Sequence, residues 1–277
     1  MIEVLTAWLD GEFVEPDQAA LGAFDHAITV GDGLFEATKV VDGVPIALTR
    51  HLDRLERSAA RAGLTVPMAR SDLDLACRAV ASRTPGRAKL RLTVTAGTAA
   101  LSSARGDQVG SVLIATASTE PTPTAAAVTV VEWPRNERGA LAGVKSTSYL
   151  ENVVALARAR ELGGDEAIFA NTVGNLCEGT GSNVFVVLDG RLITPPLSSG
   201  PLAGVTRALV LEVTDAVEED LPIEAFLAAD EAFLTSCTRD VQPIGRIDGR
   251  ELPGVPGPTT RQAAAAYLDL ITTTPDP

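Results

Sequence analysis

Three of the 23 basic residues are lysines, Lys39, Lys89 and Lys145, so few side chains offer amine chemistry. Lys145 stands in GVKSTSYLENVVALARA, at the start of an apolar helical pattern. An amine that condenses with a carbonyl must be held in place and able to lose its proton, which apolar or cationic surroundings favour. The plainer alternative is an exposed lysine at a helix start. Glu178 lies among small residues in the β-rich stretch GNLCEGTGSNVFVV. A carboxylate there can pair with a protonated ring nitrogen, or it is an ordinary turn glutamate. Gly204-Val205-Thr206 opens an apolar helix in PLAGVTRALVLEV. Unpaired N–H groups, the helix dipole and the Thr206 hydroxyl suit a phosphate; a simple helix start is the alternative. Ser236, Cys237 and Thr238 in FLTSCTRDVQPI add donors or form a polar strand end. Arg54 in TRHLDRLERSAARAG falls at the edge of an apolar stripe and can meet a phosphate, whereas Arg57 and Arg61 read as solvated. An amine, a carboxylate for a ring nitrogen and a phosphate cradle are what pyridoxal 5′-phosphate requires.

The elements that must position these groups are marked by turn chemistry. Asp10-Gly11, Asp42-Gly43, Asp189-Gly190 and Asp248-Gly249 each sit between β-rich runs, a strong hairpin signal. Two fall early and two late, which predicts two antiparallel β-containing halves rather than regular βαβ units. Helices are expected from a Thr49 cap to about Ala62, from a Ser71 cap to about Ser82, from about Ser148 to Leu162, from Gly204 to about Val217, and from Pro258 onward. The segment STEPTPTAAA is polar and carries two prolines, so it reads as a linker. The expected division is a small N-terminal α/β domain over 1–119, a linker over 120–127 and a larger β-rich domain with flanking helices over 128–277. The tail TTTPDP is expected to be mobile.

Bulk properties narrow the function classes. The 277 residues are 45% hydrophobic and 21% charged, with a net charge of −13. A surface that acidic argues against nucleic acid and anionic membrane as partners. No segment has the length and apolarity of a bilayer span, and the N-terminus does not read as a signal peptide, so a cytoplasmic location is expected. Cys77, Cys177 and Cys237 are odd in number and far apart, and His26 and His51 lie far from every cysteine; free thiols and no metal site are expected.

Colinear over about 200 residues, GDGLFEATKV, RHLDRLERSA, the lysine of VKSTSY, EGTGSNVFVV, and PLAGVTR with FLTSCTRDVQPI resemble the fold-type IV pyridoxal-phosphate enzymes, the class IV aminotransferase family. That group includes branched-chain, D-amino acid and (R)-amine transaminases and aminodeoxychorismate lyase. The resemblance implies a two-domain α+β fold, pyridoxal 5′-phosphate, an amine or amino acid and a keto acid as substrates, and a homodimer with a shared active site. It implies that Lys145 is the covalent attachment point and proton carrier, and that Glu178 is the ring-nitrogen partner. Arg54, Val205 (by its N–H), Thr206 and Cys237 match phosphate-binding positions. A thiol is a weak donor, so Ser236 or Thr238 can share that task. Leu202 matches an apolar residue packed on the cofactor ring. Tyr149 resembles a tyrosine that bonds the cofactor's phenolic oxygen, but it stands four residues past the lysine instead of five; core packing is its other reading.

Candidate substrate contacts are Phe35, Lys39, Arg91 and Arg105. In the D-amino acid and lyase branches, a loop at the position of Arg105 carries an arginine that reaches the neighbouring subunit. The D-amino acid branch adds a histidine two residues on and a tyrosine in the GDG segment, where this chain has Asp107 and Phe35. Lys39, Lys89 or Arg91 are the cations that can compensate. EGTGSNVF and Asp240 look more like the transaminases than like the lyase; the donor expected is a small amino acid, D-amino acids first, or a primary amine. The lyase that forms 4-aminobenzoate is the runner-up, and a non-catalytic homologue the remote alternative.

Overall fold

The computed structural model describes residues 3–119 and 122–277. Glu120 and Pro121, the first two residues of the expected linker, lie outside the described residues, as do Met1 and Ile2. The chain divides into two compact units: Met1–Pro121 with Val144–Tyr149 and Thr274–Pro277, and Thr122–Gly143 with Leu150–Thr273. Two short segments thus depart from a division by chain order. One carries Lys145, and the other is the C-terminal tail.

The first unit contains strands β1 (Val4–Leu9), β2 (Glu12–Val14), β3 (Gly33–Val41), β4 (Val44–Pro45), β5 (Arg87–Thr95) and β6 (Val112–Ser118), with helices α1 (His26–Thr29), α2 (Leu48–Ala62) and α3 (Arg70–Ser82). Among the described residues its sheet is six-stranded, ordered β2-β1-β6-β5-β3-β4, and every neighbouring pair is antiparallel. Alternation sorts β3 into two faces. Leu34 and Val40 join Leu90, Leu92, Val94 and Ile114 in a core with Leu48, Leu52, Leu55 and Ala59 of α2 and Leu73, Cys77 and Val80 of α3. Phe35, Ala37 and Lys39 occupy the other face, in register with Thr93, Arg91 and Lys89 of β5.

The second unit contains β7 (Ala126–Val130), β8 (Glu166–Ala170), β9 (Leu176–Gly179), β10 (Asn183–Leu188), β11 (Arg191–Thr194), β12 (Val217–Glu218), β13 (Glu231–Ser236), β14 (Asp240–Ile247) and β15 (Arg250–Glu251). Its helices are α4 (Leu150–Glu161), α5 (Val205–Val213), α6 (Ile223–Leu227) and α7 (Pro258–Thr273). Among the described residues these strands form one larger mixed sheet, ordered β12-β11-β10-β13-β14-β7-β8-β9 with β15 on β14. β7 runs parallel to both β14 and β8. Val184, Val186, Leu234, Ile244 and Ile168 form the core with Phe226 of α6. Phe185 and Phe233, paired across β10 and β13, stack with centroids 4.8 Å apart.

All four Asp-Gly pairs form the expected hairpin turns, β1–β2, β3–β4, β10–β11 and β14–β15. Each Asp has φ between 46 and 49° and each Gly a positive φ, as primed turns require. The helices fall where expected with shifted ends. α4 begins at Leu150 rather than Ser148, and α5 stops at Val213 because the chain turns into β12. The cap of α2 differs most. Thr49 is not the capping residue; Ala47 is, with φ 52°. The Thr49 N–H and hydroxyl instead donate to the carboxylate of Asp276, at 2.9 and 2.8 Å. Arg78 holds Asp276 at 2.7 Å, and Ala47 N–H donates to the Pro275 carbonyl. The tail expected to be mobile is therefore tied to α2 and α3. Among the described residues no helix is long and apolar enough to cross a membrane.

Candidate active site

In the first unit Lys145 sits on an extended segment beside β3, not at the mouth of a helix. Phe35 N–H donates to the Lys145 carbonyl at 3.0 Å, and Thr147 N–H to the Gly33 carbonyl at 2.9 Å. The Thr147 hydroxyl reaches the Gly31 carbonyl at 2.8 Å. The glycines of GDG make this approach possible. A Cβ on Gly31, whose φ is +73°, would lie 2.7 Å from Ser148 Oγ, and one on Gly33 would lie 2.9 Å from the Val94 carbonyl oxygen. The motif therefore serves to seat the lysine segment on the strand.

The seating places Lys145 Nζ 4.3 Å from the Phe35 ring centroid and 5.9 Å from that of Tyr149. Arg91 lies over the same Phe35 ring, its Cζ 3.8 Å from the centroid. Tyr149 meets Phe35 edge-on at 5.4 Å. Lys145, Tyr149, Phe35 and Arg91 are thus one cluster, and Lys39 follows on the same face of β3, buried and in register with Lys89.

Arg54 of α2 is buried at 5% exposure, one turn before Ser58, whose hydroxyl accepts the Lys145 N–H at 3.5 Å. Arg54 Nε donates to Glu36 Oε1 at 2.8 Å and its Nη2 to Oε2 at 2.6 Å, while His51 Nδ1 lies 2.8 Å from Oε2. Burial alone would push the Glu36 carboxyl up, but the charge and bonds of Arg54, with the bond from His51, outweigh it and hold the group at about 2. Burial lowers the affinity of His51 for a proton. The neutral ring then gives its Nδ1–H to Glu36, an assignment made because a carboxylate only accepts. Arg105, expected at a loop tip, is held by Asp32: Nε and Nη2 each lie 2.7 Å from a carboxylate oxygen. Asp32 also faces His26 Nδ1 at 3.1 Å.

In the second unit Glu178 lies on β9, and its Oε2 accepts the Leu202 N–H at 2.9 Å. Asn183 holds the other side of that residue through the Leu202 carbonyl at 2.9 Å. Gly204 N-caps α5 without a side-chain cap bond, leaving the first turn, with Val205 and Thr206 both buried, to supply N–H donors. A Cβ at 204 would sit 1.8 Å from Asn183 Oδ1, so any larger residue there would displace the side chain that holds the Leu202 carbonyl. Ser236 ends β13 with its hydroxyl accepting Arg239 N–H at 3.2 Å, and Cys237 and Thr238 follow, half-buried, in the turn.

Sequence reasoning missed several participants. Tyr267 of α7 is buried at 2% exposure. Its phenol is pushed up by burial and by the charge of Asp240, and it shares hydrogen bonds with Thr206 and Asp240. It thereby ties the start of α5 to the β13–β14 turn. Arg135 was also missed: its Nε is 3.6 Å from Glu178 Oε1, and its guanidinium lies 4.1 Å over the Phe169 ring. Arg135 Nε and Nη2 are buried without a hydrogen-bond partner. An Ala-rich helix and a loop (WPRNERG) gave neither residue a distinguishing signal. Glu36, inside GDGLFEATKV, was legible as a buried strand carboxylate, which seldom occurs unpaired.

Each set by itself fits a part of an aromatic aldehyde phosphate. One offers a half-buried amine on an aromatic floor. The other offers a first helical turn open to an anion, and a carboxylate beside orphaned guanidinium donors. The two sheets match the fold of the fold-type IV aminotransferases. Residues 33–247 match the family described as Amino-transferase class IV. The chain is 30% identical over 283 residues to a branched-chain-amino-acid aminotransferase of Pseudomonas aeruginosa, covering 95% of this chain and 92% of that one. It is also 30% identical over 283 residues to a D-alanine aminotransferase of Bacillus licheniformis, covering 95% of each. The crystal structure of a branched-chain aminotransferase from Thermoproteus uzoniensis with norvaline superposes with a TM-score of 0.88 at 29% identity, covering 98% of this chain and 96% of that one. The chain belongs to the class IV aminotransferase family, whose typical cofactor is pyridoxal 5′-phosphate.

Proposed function

We propose that this enzyme moves the amino group of a small amino acid to a keto acid, with Lys145 as its catalytic residue. The carrying observation is the Phe35 ring, which has the Lys145 amine 4.3 Å and the Arg91 guanidinium 3.8 Å from its centroid. A cation one ring away from the reacting amine suits a donor that carries a carboxylate beside its amino group. Amino acids are therefore favoured over bare primary amines. Lys39, buried on the same face, is the second cation available to an acidic substrate.

When bound, pyridoxal phosphate supplies a carbonyl carbon that accepts amines and a ring that withdraws charge from the adjacent carbon. Lys145 holds that carbonyl carbon at rest. Freed by the donor, the Lys145 amine would be the base that takes the donor's Cα proton and the acid that gives it back. Glu178 holds a proton at the ring nitrogen. By the family resemblance, Val205 N–H, Thr206 and the Ser236-Cys237-Thr238 turn of the second unit would hold the phosphate, with Leu202 against the ring, and Arg54 of the first unit matches a phosphate-binding position. Tyr149, edge-on to Phe35, orients the amine or bonds the phenolic oxygen. The resemblance further supports a homodimer, although Arg105 would have to leave Asp32 to serve a second subunit; light scattering tests the oligomer.

Small D-amino acids are the finer reading, drawn from the family resemblance. With Arg105 on Asp32, their carboxylate would fall to Arg91 and Lys39. A half-reaction titration of the pyridoxal-phosphate form with D-alanine, L-leucine, (R)-1-phenylethylamine and aminodeoxychorismate tests both levels. Conversion to the aminated cofactor by an amino acid, with the amine at least ~10-fold slower, supports the proposal. Conversion by L-leucine alone sinks the D-amino acid reading, and a faster amine sinks the role of Arg91. Release of 4-aminobenzoate sinks the transaminase reading.

A further inference from the structure

We propose that Arg135 is a positioning residue that keeps the shared proton on the ring nitrogen of the bound cofactor rather than on Glu178. The inference rests on the reading of Glu178 as ring-nitrogen partner and deepens it.

Arg135 is fastened from several directions. Its Nη1 donates to Asn152 Oδ1 at 3.0 Å and to Glu151, both on α4. Its backbone N–H donates to the Ala170 carbonyl at 2.7 Å. Its guanidinium rests on Phe169 of β8. Asn152 in turn donates to the Thr180 carbonyl, in the turn that follows Glu178. The result is a guanidinium held with its Nε edge toward Glu178 at 3.6 Å, too long for a hydrogen bond. Nε and Nη2 are both buried and have no hydrogen-bond partner among the described residues. A strut needs no orphaned donors, and leaving them buried is costly. The arrangement is explained if the charge, more than the bonds, is what the position supplies.

A proton between a pyridine nitrogen and a carboxylate settles on the group with the higher affinity. A fixed positive charge lowers the affinity of both, and acts most on the nearer. Glu178 is in ion-pair range of Arg135, and a ring nitrogen bonded to Glu178 is one bond further away. Arg135 therefore depresses the affinity of the carboxylate more, and the proton stays on nitrogen. There it makes the ring an effective sink for the charge left when Lys145 removes the Cα proton. Without the arginine the carboxylate becomes the better base of the two, and the ring is left neutral.

The test loads the full-length protein with pyridoxal 5′-phosphate labelled with nitrogen-15 in the ring and reads the nitrogen chemical shift at neutral pH. Unaltered protein and Arg135→Lys, which keeps the charge, should show a protonated nitrogen. In Arg135→Met the ratio of protonated to neutral nitrogen should fall about tenfold or more, one unit of relative affinity. Arg135→Gln, which can still bond Asn152, should do the same and covers a loss of folding in the methionine variant. A nitrogen that stays protonated in both neutral variants overturns the role of Arg135. So does a lysine variant that behaves like them, since only packing would then matter. Glu178→Gln separates the underlying reading: if that variant keeps a protonated nitrogen, Glu178 is not the partner, whatever Arg135 does.

Discussion

In the first unit Arg54 gives two donors to the two oxygens of Glu36, at 2.8 and 2.6 Å, and His51 closes the group from the other side. In the second unit Arg135 holds its Nε 3.6 Å from Glu178 and leaves Nε and Nη2 without an acceptor. The chemistry of the partners is the same and the finish is different. In the closed group the Glu36 carboxylate is matched on both oxygens, so its charge is fixed by the fold before any ligand arrives. Its work is to immobilise Arg54. In the open group the charge is presented but the hydrogen bonds are not completed, which is the condition of a group that acts on something else.

The comparison breaks if the two arginines respond alike to removal. Arg54→Met leaves the Glu36 charge buried and should cost ~3–5 kcal/mol. Arg135→Met removes one bond to Asn152 and one to Glu151, which is exposed, and should cost less than ~2 kcal/mol. Urea denaturation of both variants decides; equal losses would contradict the distinction.

Acid titration sharpens it. Glu36 is held at about 2, below its ordinary 4.5. Its contribution to stability is therefore complete above 4.5 and is lost as the pH falls through about 2, an effect of about 3 kcal/mol. Glu36→Gln should remove that acid dependence; a variant that keeps it would place the titrating group elsewhere. A smaller effect concerns the helix that carries Arg54. Asp276→Ala deprives α2 of its capping carboxylate and should cost ~0.5–2 kcal/mol, read as a lower melting temperature at neutral pH that narrows in acid, because, against its burial, Arg78 and Thr49 hold the Asp276 carboxyl below its ordinary range. No shift in melting would mean that the tail does not hold the helix.

What was legible in the sequence was local. The four Asp-Gly turns follow from the positive φ that those residues tolerate, and the Leu52–Leu55–Ala59 stripe of α2 from helical spacing. At Lys145, Glu178 and Gly204-Val205-Thr206 residue type and neighbours coincide, which is why the sequence offers them as candidates. What was not legible depends on partners far along the chain. The carboxylate that caps α2 lies 227 residues from Thr49. Lys145 belongs beside β3 because its backbone bonds Phe35, which chain order hides. Arg135 looks like a surface arginine until Phe169, Asn152 and Glu178 are brought around it. Tyr267 looks like a core aromatic until Thr206 and Asp240 meet its hydroxyl.

The most direct measurement exploits the scarcity of lysine. Protein loaded with pyridoxal 5′-phosphate is reduced with borohydride, digested and mapped by mass spectrometry. The account predicts a phosphopyridoxyl group on the peptide that carries Lys145 and on no other. A label on Lys39 or Lys89, or a protein that takes up none, would contradict it.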